Sequence, residues 1–330
     1  MGATLSITFV NRATNLPGWV PTVHREQPRS YAYRAGEFVI SLYGRDTGLF
    51  VLSSGLTVSQ RTSTGLEDWA GTTFAAENVR PMRRDPGHAV RGVWRPGIYF
   101  AAHANEALGV TDPERLSAEQ ALQLLIERLY DLFLYVEPNA HGLRSFGHKT
   151  RELLILAATE VENYWQRHAR DAGLVGNRGR SLNTTDYVSL KDILFLSEYE
   201  VTLKPYPTVA PIRPFATWSA QNPTQSLLWY DAYNKTKHDR ETHFREASLE
   251  RCIEAVCATI ILFSVRFSPF SLVEGSSITS SHFKQLFSVS LIDPDPTTFY
   301  VPSIDTRERH AGLVCGDGKV LPWVTDPLIL

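Results

Sequence analysis

Cysteine and long hydrophobic runs are scarce in this sequence of 330 residues. The three cysteines, Cys252, Cys257 and Cys315, are an odd number and include no Cys-x-x-Cys pair, which argues against a disulfide framework and favours a reducing cytosol. The longest predominantly apolar run, 255–265, has 11 residues, whereas a membrane-spanning helix needs about 20. We therefore expect a cytoplasmic protein that has no membrane partner.

An excess of charge of one sign is also missing, since 33 Lys and Arg residues face 35 Asp and Glu residues and the formal net charge is -2. This balance excludes a protein that binds nucleic acid through diffuse positive charge. The charge is nevertheless uneven, because residues 1–110 contain eleven Arg, no Lys and eight acidic residues, a net +3, which leaves -5 on the rest. A contact with nucleic acid would therefore need a local arginine-rich surface.

Short apolar or alternating runs separated by Gly, Pro, Asn and Ser predict a β-rich module in residues 1–110. These runs are 5–10, 38–43, 49–52 and 98–102. Ser53, Ser54 and Gly55 between two such runs predict a hairpin, because glycine can adopt a positive φ in a tight turn. The sequence 316–318, Gly-Asp-Gly, predicts a second hairpin near the C-terminus.

From residue 111 onward the spacing of apolar residues follows the helical period. It predicts helices over 117–136, 146–172, 185–196, 222–240 and 244–267, the first two of which can pair antiparallel. Ser117 and Gln120 form a capping-box pattern, and Asn222 with Pro223 supplies an N-cap and a preset first turn. Four prolines in 205–214 predict a long extended loop.

The predicted fold class is therefore α+β. A β-rich module with an arginine-rich segment covers 1–110, an antiparallel helical bundle covers 111–270, and a tail with a β-hairpin covers 271–330.

The segment 227–240, LLWYDAYNKTKHDR, carries the clearest pattern for chemistry. On a helix, Asp231, Asn234 and His238 fall on one stripe at i, i+3 and i+7. The cations nearby are Lys235, Lys237 and Arg240. Histidine can act as general acid or base in phosphodiester cleavage while cations stabilise the phosphorane charge, so His238, Asn234, Asp231 and Arg240 are the candidate catalytic residues. The alternative is a solvated helix end whose cations complement the helix dipole.

A second candidate is the arginine-rich segment within residues 80–99. Its candidate binding residues are five arginines and one interleaved tryptophan: Arg80, Arg83, Arg84, Arg91, Arg95 and Trp94. Aromatic rings that stack on bases beside cations that hold phosphates are typical of surfaces that bind RNA or single-stranded DNA, and Lys235 and Lys237 would extend such a surface. The alternative is a loop whose arginines pair with acidic helices of the larger domain.

No metal site and no cofactor are predicted. The sequence contains no His-Glu-x-x-His pattern, and His238 and His243 stand at i, i+5, a spacing that places them badly on one helix.

A long helix pair followed by a short polar motif resembles the HEPN superfamily of small helical bundles. In active members an Arg is followed by a polar residue and, after four to six intervening residues, by His. Here the polar residue Asn234 and the histidine His238 are present with three residues between them, and Tyr233 stands where the Arg belongs. The stretches 147–165 and 227–240 also resemble an uncharacterised bacterial protein family. The resemblance covers residues 117–267 and leaves both flanking regions outside it.

The resemblance implies a metal-independent endoribonuclease, acting as a homodimer whose motif segments face each other across a cleft, in toxin-antitoxin or antiviral defence systems. His238 would transfer the proton, Asn234 would orient the histidine or the phosphate, and Arg240, Lys237 or Lys235 would replace the missing Arg. Lysine cannot grip two phosphate oxygens as the arginine fork does. The alternative is therefore a non-catalytic subunit that dimerises or docks a protein partner in a larger assembly.

Overall fold

The computed structural model describes residues 6–13, 28–44, 52–98, 101–176, 180–305, 312–315 and 320–330. Its β-strands are β1 Ser6–Val10, β2 Arg29–Ala35, β3 Phe38–Gly44, β4 Leu52–Arg61, β5 Glu77–Pro81, β6 His88–Val90, β7 Tyr199–Leu203, β8 Phe287–Leu291, β9 Gly312–Cys315 and β10 Val324–Asp326. Its α-helices are α1 Leu66–Phe74, α2 Ala101–Leu108, α3 Asp112–Phe133, α4 His148–Asp171, α5 Thr184–Tyr187, α6 Leu190–Ile193, α7 Leu228–His238, α8 Arg240–His243, α9 Leu249–Phe267, α10 Phe270–Val273 and α11 Ile278–Leu286. An N-terminal antiparallel sheet followed by a helical middle confirms the predicted α+β class.

The chain divides into two compact units, each assembled from separated stretches. The first unit comprises Met1–Val90, Arg95–Leu108 and Asp293–Asp326, and the second comprises Arg91–Trp94, Gly109–Ile292 and Pro327–Leu330. The predicted tail 271–330 is therefore not a unit of its own, because its first part belongs to the helical unit and most of the remainder to the sheet unit.

The first unit is built on an antiparallel sheet with the strand order β5-β1-β2-β3-β4-β9. Side chains alternate across a strand, so the sheet has two apolar faces to cover. Ile7 and Phe9 belong to one buried cluster with Trp69 and Phe74 of α1. The opposite face holds the buried cluster Tyr31, Tyr33, Ile40, Leu42, Phe299, Val301 and Ile304. Both faces are thus covered within the unit.

Two predictions for this region are wrong. Ser53, Ser54 and Gly55 lie inside β4 instead of forming a hairpin, because Leu42 pairs with Thr57 and Gly44 pairs with Leu52. Residues 53–56 therefore oppose a single residue of β3 and form a bulge. The predicted strand 98–102 is also wrong at its described residues, since Ile98 belongs to no strand and Ala101 begins the helix α2; residues 99 and 100 lie outside the described residues. The predicted hairpin at 316–318 and the predicted strand residues 49–51 lie outside the described residues.

The second unit packs α3, α4, α7 and α9 together, with α9 almost wholly buried. Helix α3 begins at Asp112, earlier than the predicted residue 117. The side chain of Thr111 accepts a hydrogen bond from the Glu114 backbone, and the Glu114 carboxylate accepts one from the Thr111 backbone at 3.0 Å. This capping box satisfies the first turn. Helix α9 begins at Leu249 with Ser248 as its N-cap, later than the predicted residue 244.

Helix α7 begins at Leu228, six residues later than the pattern Asn222-Pro223 predicts. The residues before it belong to an aromatic cluster, in which Trp165 and Trp218 stack at 4.8 Å. The Trp218 indole donates a hydrogen bond to the Pro223 carbonyl at 2.9 Å. These contacts hold the segment in a non-helical path.

The predicted helix 185–196 is likewise divided, into the single turns α5 and α6. Part of the predicted loop 205–214 is bound to a small sheet, because Ile212 bridges to Val201 of β7, which pairs with β8. Among the described residues, no helix combines the length and the apolar character that crossing a bilayer requires.

Candidate nucleic-acid interface and motif helix

The stripe of three polar residues forms on α7 as the spacing predicts, but two of its members bind residues of their own helix. The Asp231 carboxylate pairs with Lys235 Nζ at 2.7 Å, and Asn234 Nδ2 donates to the Tyr230 carbonyl at 3.2 Å. The His238 side chain is exposed and makes no hydrogen bond to any residue that the structure describes. Neither Asp231 nor Asn234 therefore orients the imidazole.

Tyr233, at the position of the motif arginine, is only 1% exposed and faces α4. Its hydroxyl lies 3.5 Å from a Glu162 oxygen and accepts a hydrogen bond from Lys237 Nζ at 2.7 Å. The hydroxyl of Tyr230 donates to the other Glu162 oxygen at 2.6 Å. Burial, and then Glu162, raise the pKa of Tyr230 above its ordinary value, so this hydroxyl stays protonated. The motif position is thus part of a structural network between two helices.

The three predicted substitutes for the missing arginine differ in what they bind. Lys235 pairs with Asp231 and also lies 3.3 Å from Glu246, and the hydrogen bond with Asp231 raises the pKa of Lys235 above its ordinary value. Lys237 is bound to Tyr233, whose hydroxyl likewise raises the pKa of Lys237. Arg240 is exposed and has no carboxylate partner within the described part of the chain.

Three arginines of the predicted nucleic-acid segment are paired with carboxylates of their own unit. Arg80 and Arg83 both bind Asp295, at 3.0 Å and 2.8 Å, and Arg84 binds Asp326 at 3.0 Å. Burial raises the pKa of Asp295, but hydrogen bonds from Thr297 and the two arginines outweigh it and hold the pKa below its ordinary value. These partners come from the C-terminal part of the chain instead of the acidic helices that the sequence suggested.

The prediction that Trp94 and Arg95 bind nucleic acid is wrong. Each is 1% exposed, and Arg95 Nη2 donates to the Thr298 hydroxyl at 2.7 Å. Arg91 is exposed and donates to the Gly109 carbonyl at 3.2 Å. Because the segment alternates between paired, buried and exposed side chains, it is not one continuous basic surface.

An aromatic cluster that the sequence analysis missed lies at one end of the second unit. Phe146 and Phe244 meet edge to face at 5.7 Å, and the His148 ring lies 5.0 Å from Phe244. The Arg245 guanidinium lies 6.0 Å from the centre of the Phe146 ring, which is 43% exposed. We call these four residues the Phe146 cluster. The sequence around Phe146, RSFGHK, offers only an aromatic residue among cations between two helices, a weak pattern.

The N-terminus of α4 lies within this cluster. Helix α4 begins at His148 and has no acidic residue in its first turn, so the positive end of its dipole is not neutralised there. Arg151, in the next turn, donates two hydrogen bonds to the Thr236 carbonyl, at 3.1 Å and 3.0 Å. This contact places the last turn of α7, which carries His238, beside the start of α4.

Cations without a carboxylate partner gather around the same end of the unit. Within the part of the chain that the structure describes, they are Arg144, Arg151, Arg240 and Arg245. The nearby acids are Asp239, which caps α8 through the Thr242 backbone, the exposed Glu241, and Glu246, which binds His243 and Lys235. Cations outnumber acids there, which suits an anionic ligand.

Two other kinds of chemistry, metal binding and nucleophilic catalysis by cysteine, have little support in the described residues. No group of three or more His, Cys, Asp and Glu side chains there is arranged to hold a metal ion. Cys252 and Cys257 are buried, and burial raises the pKa of both thiols, so neither is a ready nucleophile. Comparisons of the chain with protein families, with curated proteins and with solved structures found no match.

Proposed function

We propose that this protein binds single-stranded RNA at the Phe146 cluster. The observation that carries the proposal is an exposed phenylalanine ring, flanked by the Arg245 guanidinium, at the cation-rich end of the helical unit. The resemblance to the HEPN superfamily suggests RNA as the nucleic acid and a prokaryotic defence or toxin-type system as its setting.

Stacking would supply part of the affinity. Bases of a single strand can leave their stack and lie against an aromatic ring or a guanidinium plane. Phe244 holds the Phe146 ring edge to face, and a backbone hydrogen bond from Leu249 to Ser145 at 2.8 Å fixes the segment that carries the ring. A ring held in place loses little conformational entropy when it binds a base.

Electrostatic attraction would supply the other part. Arg144, Arg240 and Arg245 carry charges that no carboxylate among the described residues neutralises, and the N-terminus of α4 offers backbone N–H groups to a phosphate. Arginine binds two phosphate oxygens at once. Together these groups suit the alternation of base and phosphate along one strand.

The test measures affinity for a labelled single-stranded RNA by fluorescence anisotropy. Phe146→Leu keeps an apolar side chain but removes the ring, and stacking on an aromatic residue contributes about 1–3 kcal/mol per base, roughly a 5- to 150-fold change in Kd. We expect a loss of that size for Phe146→Leu and none for Ile278→Ala, which truncates an exposed apolar residue on α11. Equal affinity for wild type and Phe146→Leu would reject the site.

A second candidate function is metal-independent RNA cleavage with His238 as general acid or base. It is favoured by the exposure of His238, one helical turn from Asn234, beside the cation-rich surface. The buried Tyr233 opposes it, because no guanidinium occupies the motif position. Binding without cleavage, in a docking subunit, is therefore the form of the proposal that the geometry supports better.

Cleavage is tested by incubating purified protein with mixed RNA in EDTA. A His238 nuclease would cut the RNA, would lose this activity in His238→Ala and would keep it in His282→Ala, a control on a partly exposed histidine of α11. We expect no cutting by any of the three. Cutting that depends on His238 alone would replace the binding-only function with an enzymatic one.

A further inference from the structure

A small hollow lies between α3 and α4 in the second unit. Its volume is ≈ 180 Å³, which corresponds to about six water molecules at about 30 Å³ each. This is the size of a single amino acid, whereas a nucleotide is larger. The hollow therefore suits one small molecule.

Helix α3 lines the hollow with small side chains and α4 lines it with polar ones. Ser117, Ala118 and Ala121 of α3 are short, which leaves the space between the helices open. Their spacing i, i+3, i+4 and i+7 puts the α4 side chains on one stripe of that helix. The α4 residues of this stripe are Glu160, Asn163, Tyr164 and Arg167.

The Tyr164 side chain in this lining is buried, yet its hydroxyl has no hydrogen-bond partner. The residue is 4% exposed, and its hydroxyl makes no hydrogen bond to any residue that the structure describes. Burial raises the pKa of Tyr164 well above its ordinary value, so the hydroxyl stays protonated. A protonated hydroxyl at the wall of a hollow can donate a hydrogen bond to a ligand.

Unpaired charges of both signs flank Tyr164. Glu160 and Arg167 form no ion pair with a described residue. The charge of Glu160 raises the pKa of Tyr164 and that of Arg167 lowers it, so both charges act at the hydroxyl. The two residues are seven positions apart, about 10 Å along the helix axis, whereas side chains pair along a helix at i+3 or i+4. The space between the two charges is therefore open to a ligand that carries both.

Two other charged side chains near the hollow are already bound. Arg266 pairs with Asp171 at 2.8 Å. Glu114, on which the charge of Arg167 also acts, accepts a hydrogen bond from the Thr111 backbone at 3.0 Å. The lining itself holds one carboxylate and one guanidinium, and this balance disfavours a simple anion and a simple cation alike.

We propose that this hollow binds a free amino acid with an uncharged polar side chain. Arg167 would pair with the carboxylate of the amino acid and Glu160 with its ammonium group, because charge-assisted hydrogen bonds are short and strong. Tyr164 would donate to the same carboxylate. Ser117 and Asn163, whose side chains are polar and uncharged, would bind the side chain of the ligand.

This site is separate from the Phe146 cluster. Glu160 lies twelve residues after His148, the first residue of α4, which corresponds to about 18 Å along the helix. A bound amino acid would join α3 to α4 and stabilise the folded unit. Amino-acid binding does not depend on RNA binding, and either can fail without the other.

The first experiment titrates the full chain with L-glutamine and follows the ligand by NMR. A ligand this small should bind with a Kd of about 1 mM. Two analogues test the charges, since glutaramate lacks the ammonium group and 4-aminobutanamide lacks the carboxylate. We expect each analogue to bind at least about ten-fold more weakly than L-glutamine. No binding of L-glutamine, or equal binding of either analogue, would overturn the proposal.

The second experiment locates the bound L-glutamine with matched variants. Ala118→Leu fills the hollow, whereas Gln120→Leu puts the same side chain on another side of α3, about 200° around the helix. Arg167→Gln removes the guanidinium, and Arg170→Gln is its control on an exposed arginine of α4. We expect Ala118→Leu and Arg167→Gln to weaken binding at least about ten-fold and both controls to keep the wild-type Kd. Equal affinity of Ala118→Leu and Gln120→Leu would place the amino acid elsewhere and reject this site.

Discussion

His168 lies between two backbone carbonyl oxygens in the interior of the second unit. Its Nδ1 is 2.9 Å from the Tyr164 oxygen, and its Nε2 is 2.9 Å from the Gly92 oxygen. A neutral imidazole carries one N–H and can donate to only one of them. Burial, followed by the charge of Arg266, lowers the pKa of His168 to about 4, although both carbonyls and Asp171 act in the opposite direction.

This lowered pKa predicts a loss of stability in mild acid. The unfolded chain binds a proton at His168 near pH 6.5 and the folded chain only near pH 4, so stability is fully present above pH 6.5 and falls as the pH drops towards 4. Between pH 7.5 and 5.0 the loss is about 2 kcal/mol. Urea unfolding followed by circular dichroism should show that His168→Asn lacks this share of the decrease, whereas the partly exposed His282→Asn keeps it. Identical pH dependence in both variants would contradict the assignment.

Single residues also show where sequence patterns fail to predict a site. Trp94 and Arg95 have the composition of a nucleic-acid surface, yet both are buried, because the fold brings Thr298 to the guanidinium from about 200 positions away in the sequence. Phe146 has an ordinary sequence context and lies exposed beside Arg245. Burial depends on contacts between distant residues, so composition alone does not separate these cases.

The start of α3 offers a prediction at the level of the element. Thr111→Ala removes the side-chain acceptor of the capping box and should lower the free energy of unfolding by about 1 kcal/mol. Ser117 lies inside the helix, so Ser117→Ala should be neutral or should stabilise it by a few tenths of a kcal/mol. Urea unfolding of both variants measures the difference. If Ser117→Ala is the more damaging change, the helix begins where the sequence pattern placed it.

The long helices could be predicted from the sequence because their apolar spacing is strong and local. Predictions over 117–136, 146–172 and 244–267 correspond to α3, α4 and α9, with ends that move by up to five residues. The start of α7 could not be predicted in this way, since the stacking of Trp218 on Trp165 overrides the cap pattern at Asn222. Tertiary packing decides where local preferences compete.

At the scale of the whole molecule, the net charge of a region describes its composition but does not tell which of its cations are already paired with carboxylates. The arginine-rich first 110 residues carry a formal +3, yet Arg80, Arg83 and Arg84 are paired with Asp295 and Asp326 from the end of the chain. The cations around the Phe146 cluster lie instead in the part of the chain with a net negative charge. The stripe on α7 follows from helical spacing, whereas its surroundings depend on the fold.

The contrast between the paired arginines of the first 110 residues and the cations around the Phe146 cluster predicts how RNA affinity responds to salt. For single strands each neutralised phosphate contributes about 0.7 to the slope of log affinity against log salt. Arg240→Ala combined with Arg245→Ala should therefore reduce the magnitude of the slope by about 1.4, because both cations are free to meet phosphates. Arg83→Ala combined with Arg84→Ala should leave it unchanged, since those cations already bind carboxylates. A slope that responds to the second pair and not to the first would place the RNA on the arginine-rich segment of the sheet unit.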